Sequence, residues 1–247
     1  MIKPAALLFL FTLFLFTLFA PALYAQETSP EQAAWETQVG DAQKDNPAYA
    51  FVEDDPALPR VLIIGDSISI GYTPSVSALL KGKANVHRIP ANAGDTKKGL
   101  EHIEAWLGEG RWDAIHFNWG LHDIKRIKNG EPDARAEKAI TPEAYAENLR
   151  SLVQRLQKTG ARLIWAATTP VPEGAKGRLP GDEIEYNKIA AKIMAELKIP
   201  INDLHGYVRS KLATYQKPAD VHYLPEGYAF LATRVAEQIR ASIAPKP

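Results

Sequence analysis

Val61-Leu62-Ile63-Ile64-Gly65-Asp66-Ser67-Ile68-Ser69 sets four apolar residues, three of them β-branched, directly before a Gly-Asp-Ser turn. So short an apolar run, stopped by glycine, reads as a buried strand that feeds a helix. In an open α/β sheet that turn leaves the Ser67 hydroxyl at the carboxyl edge, where such folds build their sites. A serine after a strand is also the ordinary N-cap of the next helix, so the rest of the chain has to decide what Ser67 does.

Downstream of this strand, short apolar runs alternate with helix-period segments, the pattern of a parallel sheet covered by helices on both faces. The strands are expected at 61–64, 85–89, 114–118, 162–167 and 200–203. Between the third and fourth, Tyr145, Leu149, Leu152, Val153 and Leu156 recur at helical spacing, with Thr141 as N-cap, Pro142 at the first position and Gly160 beyond the end. Further stripes of Ile189, Ile193 and Leu197, and of Leu231, Val235, Ile239 and Ile243, predict two more packed helices. The expected fold is a three-layer α/β/α sandwich around a five-stranded parallel sheet, flavodoxin-like in class. Two longer loops, 125–140 and 170–182, follow strands three and four and should overhang the carboxyl edge.

Upstream, Lys3, an apolar stretch from Ala5 to Phe19 and small residues near Ala22 and Ala25 predict a signal peptide over residues 1–25. The expectation is an exported protein, periplasmic or extracellular, with no stable membrane anchor once the leader is cleaved. Residues 26–59 read as a lead-in segment with a short surface helix near 30–44, and 60–247 as one domain. The chain without its leader has 222 residues, enough for one good core, with about 70% of its unfolded surface removable from water. The 247 residues contain no cysteine, which excludes disulfides, a thiol nucleophile and Cys-based zinc. With 28 basic against 29 acidic residues outside the leader, nucleic acid is not an expected partner. The oligomeric state is not legible.

Acyl transfer by serine needs a base for the hydroxyl proton, a group to orient that base, and donors aimed at the developing oxyanion. Ser67 is the candidate nucleophile, His222 the base and Asp220 the nearby carboxylate. Gly94, within Asn92-Ala93-Gly94-Asp95 after the second strand, can offer a backbone N–H. His122, within Trp119-Gly120-Leu121-His122-Asp123, follows the third strand. Each feature alone has a plainer reading as a cap, a turn or a packed histidine. Their joint placement after strands one, two and three and before the last helix lets all converge on one edge.

These blocks resemble the SGNH or GDSL-type hydrolases over about residues 60–244: Gly65-Asp66-Ser67, Asn92 to Gly94, and the segment from Asp220 through His222 to Tyr228. The resemblance implies a serine esterase without a cofactor, whose oxyanion hole takes the Ser67 and Gly94 N–H groups and a third donor. Two positions depart from the family pattern. Its third block reads Gly-x-Asn-Asp, and here His122 stands in the asparagine's place, a donor that depends on tautomer and pH. Its acid lies three residues before the histidine, where this chain has Ala219, so Asp220 either reaches His222 from one residue closer or the site works as a Ser-His dyad.

Rival motifs fail on spacing: there is no second glycine for an α/β-hydrolase elbow, no Lys-Ser/Thr of a P-loop and no dinucleotide fingerprint. No metal is expected, since the nearest pairs, Asp203 with His205 and His122 with Asp123, have no ligand spacing. Candidate substrate contacts are Asp66, Asn92, Trp119, Lys125, Arg126 and Arg178, the basic ones as anion grips and Trp119 as a stacking surface. The expected activity is removal of O-acyl groups from carbohydrate or another small-molecule ester. The alternatives are a sulfate or phosphate ester hydrolase, suggested by His122 and the basic loops, and a non-catalytic glycan-binding module.

Overall fold

The computed structural model describes Met1 and residues 28–244, so the expected leader lies, apart from Met1, outside the described residues. Strands β1 (Arg60–Ile64), β2 (Asn85–Arg88) and β3 (Ala114–Phe117) occupy three of the predicted runs. The hairpin strands β4 (Ile127–Lys128) and β5 (Glu131–Pro132) come next, then β6 (Arg162–Ala166) and β7 (Ile201–Asn202). The main sheet is five-stranded and parallel throughout, in the order β2-β1-β3-β6-β7. Ile64 pairs with Phe117, and Phe117 with Trp165, so the ends of the three central strands lie level and present one carboxyl edge.

The helices are α1 (Pro30–Val39), α2 (Ser67–Leu79), α3 (Thr96–Leu107), α4 (Pro142–Gln157), α5 (Asp182–Glu196), α6 (Leu204–Arg209), α7 (Leu212–Tyr215) and α8 (Pro225–Ile243). On one face of the sheet α2 packs against α8; on the other α3, α4 and α5 pack in sequence. The stripe read from the sequence is the buried face of α4: Tyr145, Leu149, Leu152, Val153 and Leu156 are all fully buried. At about 2 kcal/mol for a large apolar side chain taken out of water, that face secures the helix to the sheet.

The lead-in segment is tied to the body rather than merely preceding it. Trp35 of α1 donates to the Tyr49 carbonyl, and Tyr49, Ala48 and Val39 form a small apolar cluster against Ile70 of α2. The extended stretch after Tyr49 is pinned where Asn85 bonds both the N–H and the carbonyl of Asp55, and where Asp54 pairs with Arg60.

Two features depart from the expectation of plain loops beyond the third and fourth strands. Asn129 and Gly130, with φ of 52° and 84°, form a two-residue turn that folds β4 onto β5. The two loops are also stapled together: the Arg126 N–H donates to the Gly177 carbonyl at 2.7 Å, and the Arg126 guanidinium pairs with Asp182 at 2.6 Å.

Candidate active site

The β1–α2 turn is built around Asp66 and Ser67. Asp66 is the N-cap of α2, its carboxylate accepting from the Ile68 N–H at 2.9 Å, and it is buried. Ser67 is therefore the first helical residue, and its own N–H has no acceptor among the described residues. Beneath the turn lies Arg88, a buried β2 residue that the sequence reading passed over. One of its terminal nitrogens donates to the Gly65 carbonyl at 3.2 Å and the Ser69 hydroxyl at 2.9 Å. The other donates to the Ile89 and Ala91 carbonyls at 3.0 and 2.8 Å. Arg88 thus joins the nucleophile turn to the loop that carries Asn92 and Gly94, while the Tyr49 ring covers its guanidinium at 4.7 Å.

Ser67 Oγ lies 2.8 Å from His222 Nε2, and His222 Nδ1 lies 2.6 Å from Asp220 Oδ1. Asp220 reaches the ring because the same Oδ1 also accepts the His222 backbone N–H at 3.1 Å, a local turn that folds the carboxylate back over its own loop. Burial alone would raise the Asp220 carboxyl, but these bonds and the imidazole charge hold it below its ordinary value. The carboxylate accepts the Nδ1 proton, which leaves Nε2 free to take one from Ser67. Ala219, at the family's acid position, sits at φ 53°, and its side chain packs toward Gly174.

The third strand ends in the tight turn Gly120 to Ile124. A Cβ on Gly120 would come within 2.2 Å of the Thr168 hydroxyl, so only glycine passes here. His122 follows, half-buried, with its ring in no hydrogen bond to a described residue. Burial pushes its pKa down, Asp66 and Asp95 pull it up, and Arg178 and Lys125 press it lower, so the ring is neutral near pH 7 and carries one N–H. Its neighbour Asp123 is fully buried and accepts both the N–H and the hydroxyl of Thr96, at 2.9 and 2.6 Å. That clamp fastens the start of α3, and with it the Gly94 loop, to the His122 turn.

Several expected contacts take other roles. The Gly94 N–H is not an open donor, because the Asn92 carboxamide oxygen accepts it at 2.9 Å; that bond takes the Asn92 oxygen, and its NH2 has no acceptor among the described residues. Asp66 is a buried helix cap rather than a substrate contact. Trp119 cannot stack on a sugar, since it is fully buried with its ring against Gly99 of α3, where a Cβ would come within 2.9 Å. Arg126 is spent on Asp182 and on the Ala136 carbonyl. Arg178 does reach the site: its Nε donates to the Leu121 carbonyl at 2.7 Å, beside His122. Lys125 stands on the same turn, half-buried. Among the described residues no group of three His, Cys, Asp or Glu side chains is placed to hold a metal ion. Nor, among them, is any helix long and apolar enough to cross a membrane.

The GDSL-like Lipase/Acylhydrolase family model matches residues 63–230, a span that contains Ser67, Gly94, His122, Asp220 and His222. No curated protein sequence matches the chain. Among solved structures it is similar to the acetyl xylan esterase AlAXEase, at 15% identity and a TM-score of 0.61, over 73% of this chain and 99% of that one. It is similar to Axe2, an acetylxylan esterase from Geobacillus stearothermophilus, at 18% and 0.61, over 73% and 94%. It is also similar to a lipase/acylhydrolase from Enterococcus faecalis, at 19% and 0.63, over 76% and 99%. At such identities the likeness is one of fold.

Proposed function

The chain belongs to the GDSL-like lipase/acylhydrolase family and is a serine ester hydrolase, and we propose that it is exported and removes O-acyl groups from carbohydrates. The observation that carries the chemistry is the 2.8 Å contact between Ser67 Oγ and His222 Nε2, with Asp220 on the far side of the ring. His222 takes the hydroxyl proton as Ser67 Oγ attacks the acyl carbon, and the C=O electrons move onto oxygen. When the tetrahedral adduct collapses, the sugar oxygen leaves with the proton from His222. Water, deprotonated in turn by His222, then frees the acid and restores Ser67.

The oxyanion is held between the Ser67 N–H and the neutral His122 ring; the Gly94 N–H joins them only when Asn92 releases it. The carbohydrate assignment is supported by the acetyl xylan esterases among the chains that share the fold, and export by the leader-like sequence over residues 1–25.

The test is hydrolysis of p-nitrophenyl acetate and of acetylated xylan by the chain without its leader, with Ser67→Ala, His222→Ala and Asp220→Ala alongside. The first two variants are expected to lose about 10⁶-fold in kcat, and Asp220→Ala about 10⁴-fold. Turnover that survives Ser67→Ala rejects this nucleophile. Wild type that cleaves long-chain acyl esters but not acetylated polysaccharide rejects the carbohydrate assignment and leaves the hydrolase standing.

A further inference from the structure

The loops over the carboxyl edge carry basic residues of two kinds. Arg126 and Lys138 are neutralised at the loop junction, both by Asp182 and the lysine also by Glu185. Arg178 and Lys125 have no carboxylate within ion-pair reach among the described residues. Both lie around the His122 turn.

Arg178 is the more informative of the two. Its Nε bond to the Leu121 carbonyl fixes the plane of the guanidinium next to the peptide of His122, while its two terminal nitrogens find no acceptor among the described residues. The nearby carboxylates are already engaged: Asp66 caps α2, and Asp220 accepts twice from His222. Burial lowers the Arg178 pKa, and the charges of Asp66 and Asp220 work against that. A half-buried guanidinium with a free two-pronged edge has lost hydration without gaining a partner. A planar or tetrahedral oxyanion would satisfy that edge bidentately.

Resting on the proposed carbohydrate esterase reading, we propose that Arg178 and Lys125 form an anion subsite beside the scissile ester, and that the substrates are O-acylated acidic carbohydrates bearing a carboxylate or a sulfate. Arg178 grips the anion through its terminal nitrogens, and Lys125 adds a point charge at the mouth. The anionic sugar is thereby oriented with its acyl group toward Ser67.

The experiment compares kcat/KM on acetylated polygalacturonate, an acetylated sulfated galactan and neutral acetylated xylan, with p-nitrophenyl acetate as a plain ester. Wild type is expected to favour one acidic polymer over xylan by at least about tenfold, and which one identifies the anion. In Arg178→Gln the ratio of acidic to neutral kcat/KM should fall about tenfold or more, mainly through KM, and Arg178→Lys should recover only part of it. Lys125→Gln, on a partly exposed side chain, keeps the test open if Arg178→Gln folds poorly; its ratio should fall about threefold, and added salt should shrink the preference in wild type. Equal losses on acidic and neutral polymers in Arg178→Gln would make Arg178 a strut for Leu121 and overturn the subsite. Wild type with no acidic preference overturns it as well. Cleavage of p-nitrophenyl acetate but of none of the polymers rejects the carbohydrate reading instead, and the subsite with it.

Discussion

Ser67 stands on a turn gripped from beneath by buried groups, whereas His222 sits on a loop tied chiefly to itself. Under Ser67, one guanidinium spans Gly65, Ser69, Ile89 and Ala91, and the Ala93 N–H adds a bond back to the Gly65 carbonyl at 3.1 Å. Around His222 the bonds are local: Lys217 N–H to the His222 carbonyl, Asp220 N–H to the Lys217 carbonyl, and the two bonds onto the Asp220 carboxylate. The loop is held to the body by the buried Val221 and Tyr223 on either side of the histidine and by Gln216, whose amide reaches the Pro170 carbonyl. The His222 and Asp220 side chains themselves are 37% and 44% exposed. The contrast follows the chemistry. Oxyanion donors must be fixed before charge develops, while the base has to serve two oxygens in turn.

The largest expected effect breaks the firm side. Arg88→Met keeps length and apolar volume but removes all the guanidinium bonds under the turn: the Ile89 and Ala91 carbonyls lose their donor, while the Gly65 carbonyl keeps the Ala93 N–H and the Ser69 hydroxyl keeps the Asp66 carbonyl. At about 1–3 kcal/mol for each of the two buried carbonyls left unsatisfied, and with partial relaxation, the loss should be about 3 kcal/mol in urea unfolding, with turnover falling as well. A loss below about 1 kcal/mol would mean that the turn is held by strand pairing and the α2 cap alone.

How far the site could be read beforehand follows the same divide. Local signals served well: the apolar runs placed the five main strands, and Gly65 to Ser67 and Asp220 to His222 lie where a strand end and a loop bring them together. Groups whose meaning depends on a distant partner did not show. Nothing around Arg88 in the sequence announces that Tyr49 will cover it, nor does Arg126 announce Asp182, 56 residues later. Trp119 beside Gly120 reads first as core and second as a stacking surface, and its full burial against Gly99 decides for core. The β4–β5 hairpin did carry a local signal, Asn129-Gly130, but its two-residue exposed strands have no apolar alternation to go with it.

The second effect sharpens the firm side through pH. Burial pushes Asp123 up to about 7, well above the ordinary carboxylate range, against the two lowering bonds from Thr96. A carboxyl whose folded pKa lies above its unfolded one stabilises fully below the unfolded value, and that contribution is lost as pH rises toward the folded value. Wild type should therefore lose roughly 3 kcal/mol of stability from this group between about pH 4 and pH 7. Asp123→Asn should remove that slope, so the stability gap between wild type and variant, measured by urea unfolding, should differ between pH 4.5 and pH 8 (assay conditions). An equal gap at both would show that Asp123 is ionised throughout, with its charge met inside the clamp.

The smallest effect tests the loose side at Ala219. Its φ of 53° is a conformation that costs an alanine about 1 kcal/mol and a glycine almost nothing, yet glycine also gives the unfolded chain more freedom to lose. The two nearly cancel, so Ala219→Gly should shift stability by less than about 0.5 kcal/mol. Activity is the better readout, because the left-handed residue directly precedes Asp220, whose turn back toward His222 is closed by the His222 N–H. Glycine keeps that conformation accessible but does not enforce it, and kcat should fall by about twofold to fivefold while KM holds. Unchanged kcat would mean that the Asp220 turn closes by its own hydrogen bonds. A loss as large as that of Asp220→Ala would mean that the backbone at Ala219, rather than those bonds, sets the geometry of the acid, and the histidine loop would then be as preorganised as the turn that carries Ser67.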